Sequence, residues 1–172
     1  MPTTQRITPS LWFADEAEEA ARFYTGIFKN SRITKITRYG TAGFDVHQRP
    51  AGSVMTVAFE LDGQSFVALN GGPVFTFNES ISFQINCETQ QEIDYYWEKL
   101  GAGGDPNAQQ CGWLKDRYGL SWQVVPTMME DLFDDESSPE AERTMEAMLK
   151  MKKLDIATLR HAHDGATAAG RR

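Results

Sequence analysis

The sequence predicts an α+β fold: two βαβββ modules forming curved mixed sheets around a cleft, followed by C-terminal helices. Three observations carry the prediction. Strand-like alternation, a helical segment and further extended segments occur twice in the same order. A shift of 72 residues lays Leu11, Phe13, Phe23, Tyr24 and Phe28 over Phe83, Ile85, Tyr95, Tyr96 and Leu100. A shift of 56 lays "GQSFVAL" (63–69) over "GLSWQVV" (119–125), and such agreement in element order, helix aromatics and final hairpin is the mark of an internal duplication.

The elements follow in order. "ITPSLWF" (7–13) alternates as a strand, and "EAEEAARFYTGIF" (16–28) is helical, with Asp15 placed as its cap and Glu16, Glu18 and Glu19 near its positive end. Three extended segments follow, "SRITKITRYG", "SVMTVAFELD" and "QSFVALNGG", and Asp62-Gly63 between the last two is a strong hairpin signal. The pattern restarts at "SISFQINC" (80–87), continues as the helix "TQQEIDYYWEKLG" (89–101) ending on Gly101, and closes with two or three strands finishing at "GLSWQVVP". The modules span about 5–72 and 79–127 within a domain of residues 1–135.

After Pro126 the composition turns helical. Ser138 precedes Pro139 as an N-cap, Asp155 is placed to cap a last short helix, and Met145, Met148, Leu149 and Met151 form an apolar stripe for packing on the core or on a partner subunit. A helical extension is expected over 136–164 and a disordered tail over 165–172.

Composition narrows the function classes. The 172 residues are 41% apolar and 24% charged, enough for a buried core without disulfides or metals. The net charge is −7, and no Lys/Arg run alternates with aromatics, so a nucleic-acid partner is not expected. No apolar run approaches the ~20 residues that span a bilayer, and the N-terminus lacks a signal-peptide pattern, so a cytoplasmic protein without a membrane partner is expected. Cys87 and Cys111 form no C-x-x-C pair, and a reducing compartment makes a disulfide between them improbable. A nucleophilic Cys111 needs a neighbouring base, whereas the histidines are His47, in a loop, and His161 and His163, near the C-terminus.

Alternation also assigns faces. Ile7, Pro9, Leu11 and Phe13 oppose Thr8, Ser10 and Trp12, while Ile81, Phe83 and Ile85 oppose Ser80, Ser82, Gln84 and Asn86. The apolar faces belong under the helices, and the polar faces either meet water or line a small-molecule cleft with Gln123 from the last strand. The candidate ligand-binding residues are Thr8, Ser10, Trp12, Asn70, Ser80, Ser82, Gln84, Trp113 and Gln123. Asn70 either donates to a ligand oxygen or makes the turn into "GGP", and Trp113 and Trp122 either wall a pocket or pack in the core. Lys115, Asp116 and Arg117, before the Tyr118-Gly119 turn, read as solvated charges rather than as acid or base groups.

The paired modules, the helix "EEAARFYTGIF" and the closing "DRYGLSWQVVP" resemble the vicinal oxygen chelate superfamily, which includes glyoxalase I, bleomycin-resistance proteins and extradiol dioxygenases. Within it, "ITPSLWF", "FVALNGGP", "QQCGWLKDRYGLSWQVVP" and "MMEDLF" are similar to the PhnB-like group, often labelled 3-demethylubiquinone-9 3-methyltransferase domains. The resemblance covers about residues 5–135 and implies a glyoxalase-like fold and a homodimer, with modules or tails possible as exchanged elements. Metal-dependent members place His or Glu ligands on the first and last strands of each module. The matching positions here are Thr8, Ser80, Gln123 and either Val67 or Ala68, none of them a good divalent-metal ligand.

No metal and no cofactor are therefore expected. The methyltransferase label would need a glycine-rich turn directly after a strand, but "GAGGDP" (101–106) follows a helix. Two classes of function follow: a metal-independent protein that sequesters or senses a small, partly apolar ligand, or a lyase, isomerase or transferase of the same scaffold acting on a small oxygenated substrate.

Overall fold

The computed structural model describes residues 5–135 and 137–165. The chain divides at Phe77/Asn78 into two compact units. In the first unit β1 (Ser10–Phe13) leads into α1 (Ala17–Ile27), then β2 (Arg32–Arg38), a short helix α2 (Phe44–His47), β3 (Val54–Leu61) and β4 (Gln64–Asn70). The sheet order is β1-β4-β3-β2, with β1 parallel to β4 and the other neighbours antiparallel. Apart from the short α2, this is the expected βαβββ order.

The core of this unit follows from two periodicities. Ala17, Ala20, Ala21, Tyr24 and Ile27 recur at helical spacing and are buried. They cover the face of the sheet that carries Leu11, Phe13, Val57, Phe59, Phe66 and Ala68, all buried, and Tyr24 stacks on Phe59 at 6.3 Å between ring centroids. The β3–β4 hairpin closes in two residues: Asp62 and Gly63 have φ of 45° and 81°, and Leu61 pairs with Gln64. Positive φ at both positions is what a type I′ turn requires, and Asp-Gly supplies it at low steric cost.

Two expectations for this unit are corrected. The first strand begins at Ser10, not residue 7, because the ladder with β4 starts at Ser10 opposite Val67; Ile7, which alternation places inside, is 84% exposed. The cap of α1 is not Asp15, whose carboxylate instead pairs with Arg49 at 2.5 Å. The Asn70 side chain, 53 residues away, accepts from the Ala17 amide at 2.8 Å.

In the second unit β5 (Ser82–Cys87) precedes α3 (Gln90–Gly101), and β6 (Trp113–Lys115) and β7 (Ser121–Pro126) complete a sheet of order β5-β7-β6. Among the described residues the pattern is therefore βαββ rather than βαβββ. Residues 102–112 supply the reason. They hold a 3-10 turn at Pro106–Ala108 and a tight reversal in which Gln110 bonds back to Trp113, with Cys111 and Gly112 at φ of 49° and 84°. A proline and a reversal leave no run long enough to pair as a strand.

The strand again starts late. Ile81 is 68% exposed, while Ile85 and Cys87 are buried beneath α3 together with Val124 and Trp122. Thr89 caps α3 by accepting from the Glu92 amide, and Ile93 and Leu100 form its buried stripe.

Three helices follow: α4 (Met129–Leu132), α5 (Pro139–Met148) and α6 (Ile156–His163). Ser138 caps α5 with Pro139 at its first turn, and Asp155 caps α6, as the sequence predicts. Leu132, Leu154 and Leu159 make a small core to which Met128, Met129, Phe133, Met148 and Met151 pack. Of the predicted stripe, Met148 and Met151 join this core, whereas Met145 and Leu149 are exposed. The segment after α5 is bonded to the sheet end: Cys111 and Gly112 donate to Met151 and Lys152 carbonyls at 2.9 and 2.7 Å. The tail expected over 165–172 lies outside the described residues beyond Gly165. Among the described residues no helix is long and apolar enough to cross a membrane.

Candidate functional site

The second sheet turns one face to α3 and presents the other as a small polar lattice. Its register puts Ser82 opposite Ser121 and Ser121 opposite Lys115; two residues further along, Gln84 faces Gln123 and Gln123 faces Trp113. Because successive strand residues alternate in direction, these six side chains share the face that Trp122 and Val124 do not. Gln123 answers to two neighbours. Its Nε2 donates to the Ser82 hydroxyl at 2.9 Å, and it sits between Gln84 and Trp113 in the ladder. Gln84 is exposed and donates to Asn86 Oδ1 at 2.9 Å. Ser82, Gln84, Trp113 and Gln123 are thus brought together within one sheet.

The other predicted site residues are placed differently. Ser80 precedes β5, is exposed, and bonds locally to Asn78. Thr8 precedes β1 and is exposed, and Ser10 is exposed at the first position of that strand. Alternation in the sequence runs on past the last paired residue, so it assigns Thr8 and Ser80 to strand faces that the ladders do not reach.

Trp12 and Asn70 have defined structural tasks. The Trp12 indole N–H donates to the Gly72 carbonyl at 2.9 Å, its ring meets Phe75 edge-on, and a Cβ on Gly71 would overlap it. Asn70 is 6% exposed, and besides holding Ala17 it donates to the Val54 carbonyl at 3.1 Å. Its amide thereby ties the start of α1 to β3. A cavity of about 470 Å³ beside it, in the first unit, is lined by Asp15, Glu18, Arg49, Ser53 and Val54.

Asp116 departs most from expectation. Read from sequence as a solvated turn charge, it is 2% exposed. Its carboxylate accepts from the Tyr118 and Leu120 amides and from the Trp122 indole at 2.9 Å. A buried indole N–H demands an acceptor, and the turn supplies one. The signal available in sequence was the spacing of an acid six residues before a strand tryptophan.

The thiols are not arranged for attack. Burial, with Glu92 adding to it, pushes the Cys87 thiol up to about 12. Cys111 donates to the Met148 carbonyl and accepts from Gln110, contacts that belong to the docking of the C-terminal segment.

The fold class calls for a test of metal fit. Gln123 is committed through its amide N–H to a serine hydroxyl, Thr8 and Ser80 lie off the strands, and Val67 and Ala68 are hydrocarbon. Among the described residues no group of three His, Cys, Asp or Glu side chains is placed to hold a metal ion. A neutral amide and hydroxyls offer weak donors without charge compensation, so this residue set does not fit a divalent metal.

Two βα-containing units with mixed sheets define the class: this is the glyoxalase-like architecture of the vicinal oxygen chelate superfamily. The chain belongs to the 3-demethylubiquinone-9 3-methyltransferase family, whose model matches residues 5–125. A PhnB protein from Bacillus cereus is 37% identical over 71% of this chain and 99% of its own, with a TM-score of 0.60. Protein PA1353 from Pseudomonas aeruginosa, 18% identical over 72% of this chain and 98% of its own, shares the fold at a TM-score of 0.53. Comparison with curated proteins gives no match.

Proposed function

We propose that this protein binds a small, partly apolar molecule on the polar face of its second sheet, without a metal, and so sequesters or senses it. The observation that carries the reading is the Gln84–Gln123–Trp113 row: two neutral amides beside an aromatic wall, with Gln123 oriented by Ser82. Such a row orients a ligand by hydrogen bonds and covers its apolar part.

The methyl-transfer reading carried by the family description receives less support. A methyl donor bound in the usual way needs a free glycine-rich turn after a strand. Here Gly101 closes α3, and a Cβ on Gly104 would collide with the Lys115 carbonyl. Gly104 serves close backbone packing.

A thermal-shift screen of small aromatic and carbonyl compounds tests the binding reading. Hits abolished by Gln84→Ala are expected, and hits indifferent to both Gln84→Ala and Gln123→Ala would move the site elsewhere. Elemental analysis showing a stoichiometric divalent metal, lost on Gln123→Ala, would overturn the metal-free part. The homodimer implied by the resemblance belongs to the same proposal and is read by light scattering.

A further inference from the structure

Among the described residues of the second unit, one buried side-chain polar atom has no hydrogen-bond partner. Ser121 is 1% exposed, and its hydroxyl makes no hydrogen bond. Leaving a hydroxyl buried and unpaired costs on the order of 1–3 kcal/mol, so the Ser121 hydroxyl has unused hydrogen-bonding capacity. Ser121 lines a cavity of about 370 Å³ together with Glu79, Asn107, Gln110, Trp113 and Lys115. That is room for a compact organic molecule.

The charges at this cavity are informative. Lys115 stands directly opposite Ser121 in the ladder, and its ammonium pairs with the Glu79 carboxylate. The two partners are unequally placed: the Lys115 side chain is 23% exposed and that of Glu79 is 65% exposed. The ammonium beside Glu79 holds its carboxyl below the usual carboxylate range. Glu79 lies outside the strand on a solvent-facing segment, so it can leave Lys115 without disturbing the sheet. Ser121, an ammonium and a tryptophan line one cavity, with the unpaired serine hydroxyl buried in its wall and the ammonium held by a largely exposed carboxylate.

We propose that this cavity is a seat for small aromatic carboxylates: the ligand's carboxylate takes the Ser121 hydroxyl and displaces Glu79 from Lys115, while its ring lies against Trp113. Glu79 is then an internal stand-in that keeps Lys115 paired until a ligand arrives. This rests on the reading that the second sheet's polar face binds a small molecule, and it names the chemical class.

The test uses the full chain, with benzoate as probe and benzamide as its neutral counterpart, by titration calorimetry at low and moderate salt. Benzoate is expected to bind and benzamide to bind at least about tenfold more weakly, the size of lost charge-assisted hydrogen bonds. Ser121→Ala should weaken benzoate roughly tenfold, while removing an unpaired hydroxyl raises the Tm of the free protein by about 2 °C. Lys115→Met should weaken benzoate more than Ser121→Ala does, and Glu79→Gln should tighten it about threefold, as removal of a largely exposed competitor allows. Equal binding of benzoate and benzamide would overturn the proposal, as would no benzoate binding at millimolar concentration or an affinity untouched by both Ser121→Ala and Lys115→Met. Neutral compounds that bind and respond to Gln84→Ala would leave the parent reading standing while removing the carboxylate seat.

Discussion

The two hairpins that close the two sheets are copies with different solutions to one turn. In the first, Phe66 is the buried aromatic, and Asp62-Gly63 closes the loop in two residues. In the second, Trp122 occupies the matching position, and five residues, 116–120, separate the strands. The difference follows from one atom. Phe66 has no N–H to satisfy, whereas the buried indole of Trp122 needs an acceptor, and the longer loop lets Asp116 fold back to provide it. A larger aromatic in the core thus came with a buried carboxylate, and the turn's amides complete that carboxylate's hydrogen bonding.

The comparison can be broken most severely at Asp116. Asp116→Ala removes the acceptor of three hydrogen bonds and should cost about 3 kcal/mol or more in urea unfolding. Adding Trp122→Phe, which recreates the Phe66 arrangement, should recover part of that loss; strict additivity in the double-mutant cycle would show that the indole is not why the carboxylate is buried. In the first unit the comparable buried polar link is Asn70. Asn70→Ala should cost about 2 kcal/mol through loss of the cap on α1 and the bond to Val54. Gln123→Val copies Val67 into the second sheet, removes the bond to Ser82 and should cost about 1 kcal/mol or less, while abolishing any binding that uses the Gln84–Gln123–Trp113 row.

The smallest effect concerns pH. The Thr158 hydroxyl, followed by its amide, holds the Asp155 carboxyl below its ordinary range. A depressed carboxyl contributes stability that is complete above its unfolded value of ~4 and is lost as pH falls through the lower folded value. The Thr158 amide resonance should therefore titrate with a midpoint below about 4, and Asp155→Asn should flatten the curve.

Much of the fold was legible because it rests on local periodicity. Ala17, Ala20, Ala21, Tyr24 and Ile27 mark a helix face, and Asp62-Gly63 marks a turn, without any distant partner. What was not legible depends on partners. Ile7 and Ile81 continue the alternation of their strands but lie beyond the ladder, which neighbouring strands end. The extra strand expected after α3 was lost to a reversal at Cys111-Gly112. Of the site, the Ser82, Gln84 and Gln123 face follows from period-two alternation. The bonds of Asn70 and Asp116 are not written in residue type, which suggests ligand contact or exposure; they are set by an amide 53 residues away and by an indole across the turn. Ser121 gave no signal at all, since an unpaired hydroxyl is a property of packing.

The bonds from Cys111 and Gly112 to Met151 and Lys152, joined by those between Gln90 and residues 154 and 156, bear on synthesis. A chain emerging from the ribosome has every strand of its first sheet once residue 70 has been made. The second sheet has its strands by residue 126, yet the amides at its turn and the side chain at the head of α3 wait for residues 151–156. A nascent chain stalled between these points should carry a protease-resistant first unit and a second unit still open to cleavage near Gln110.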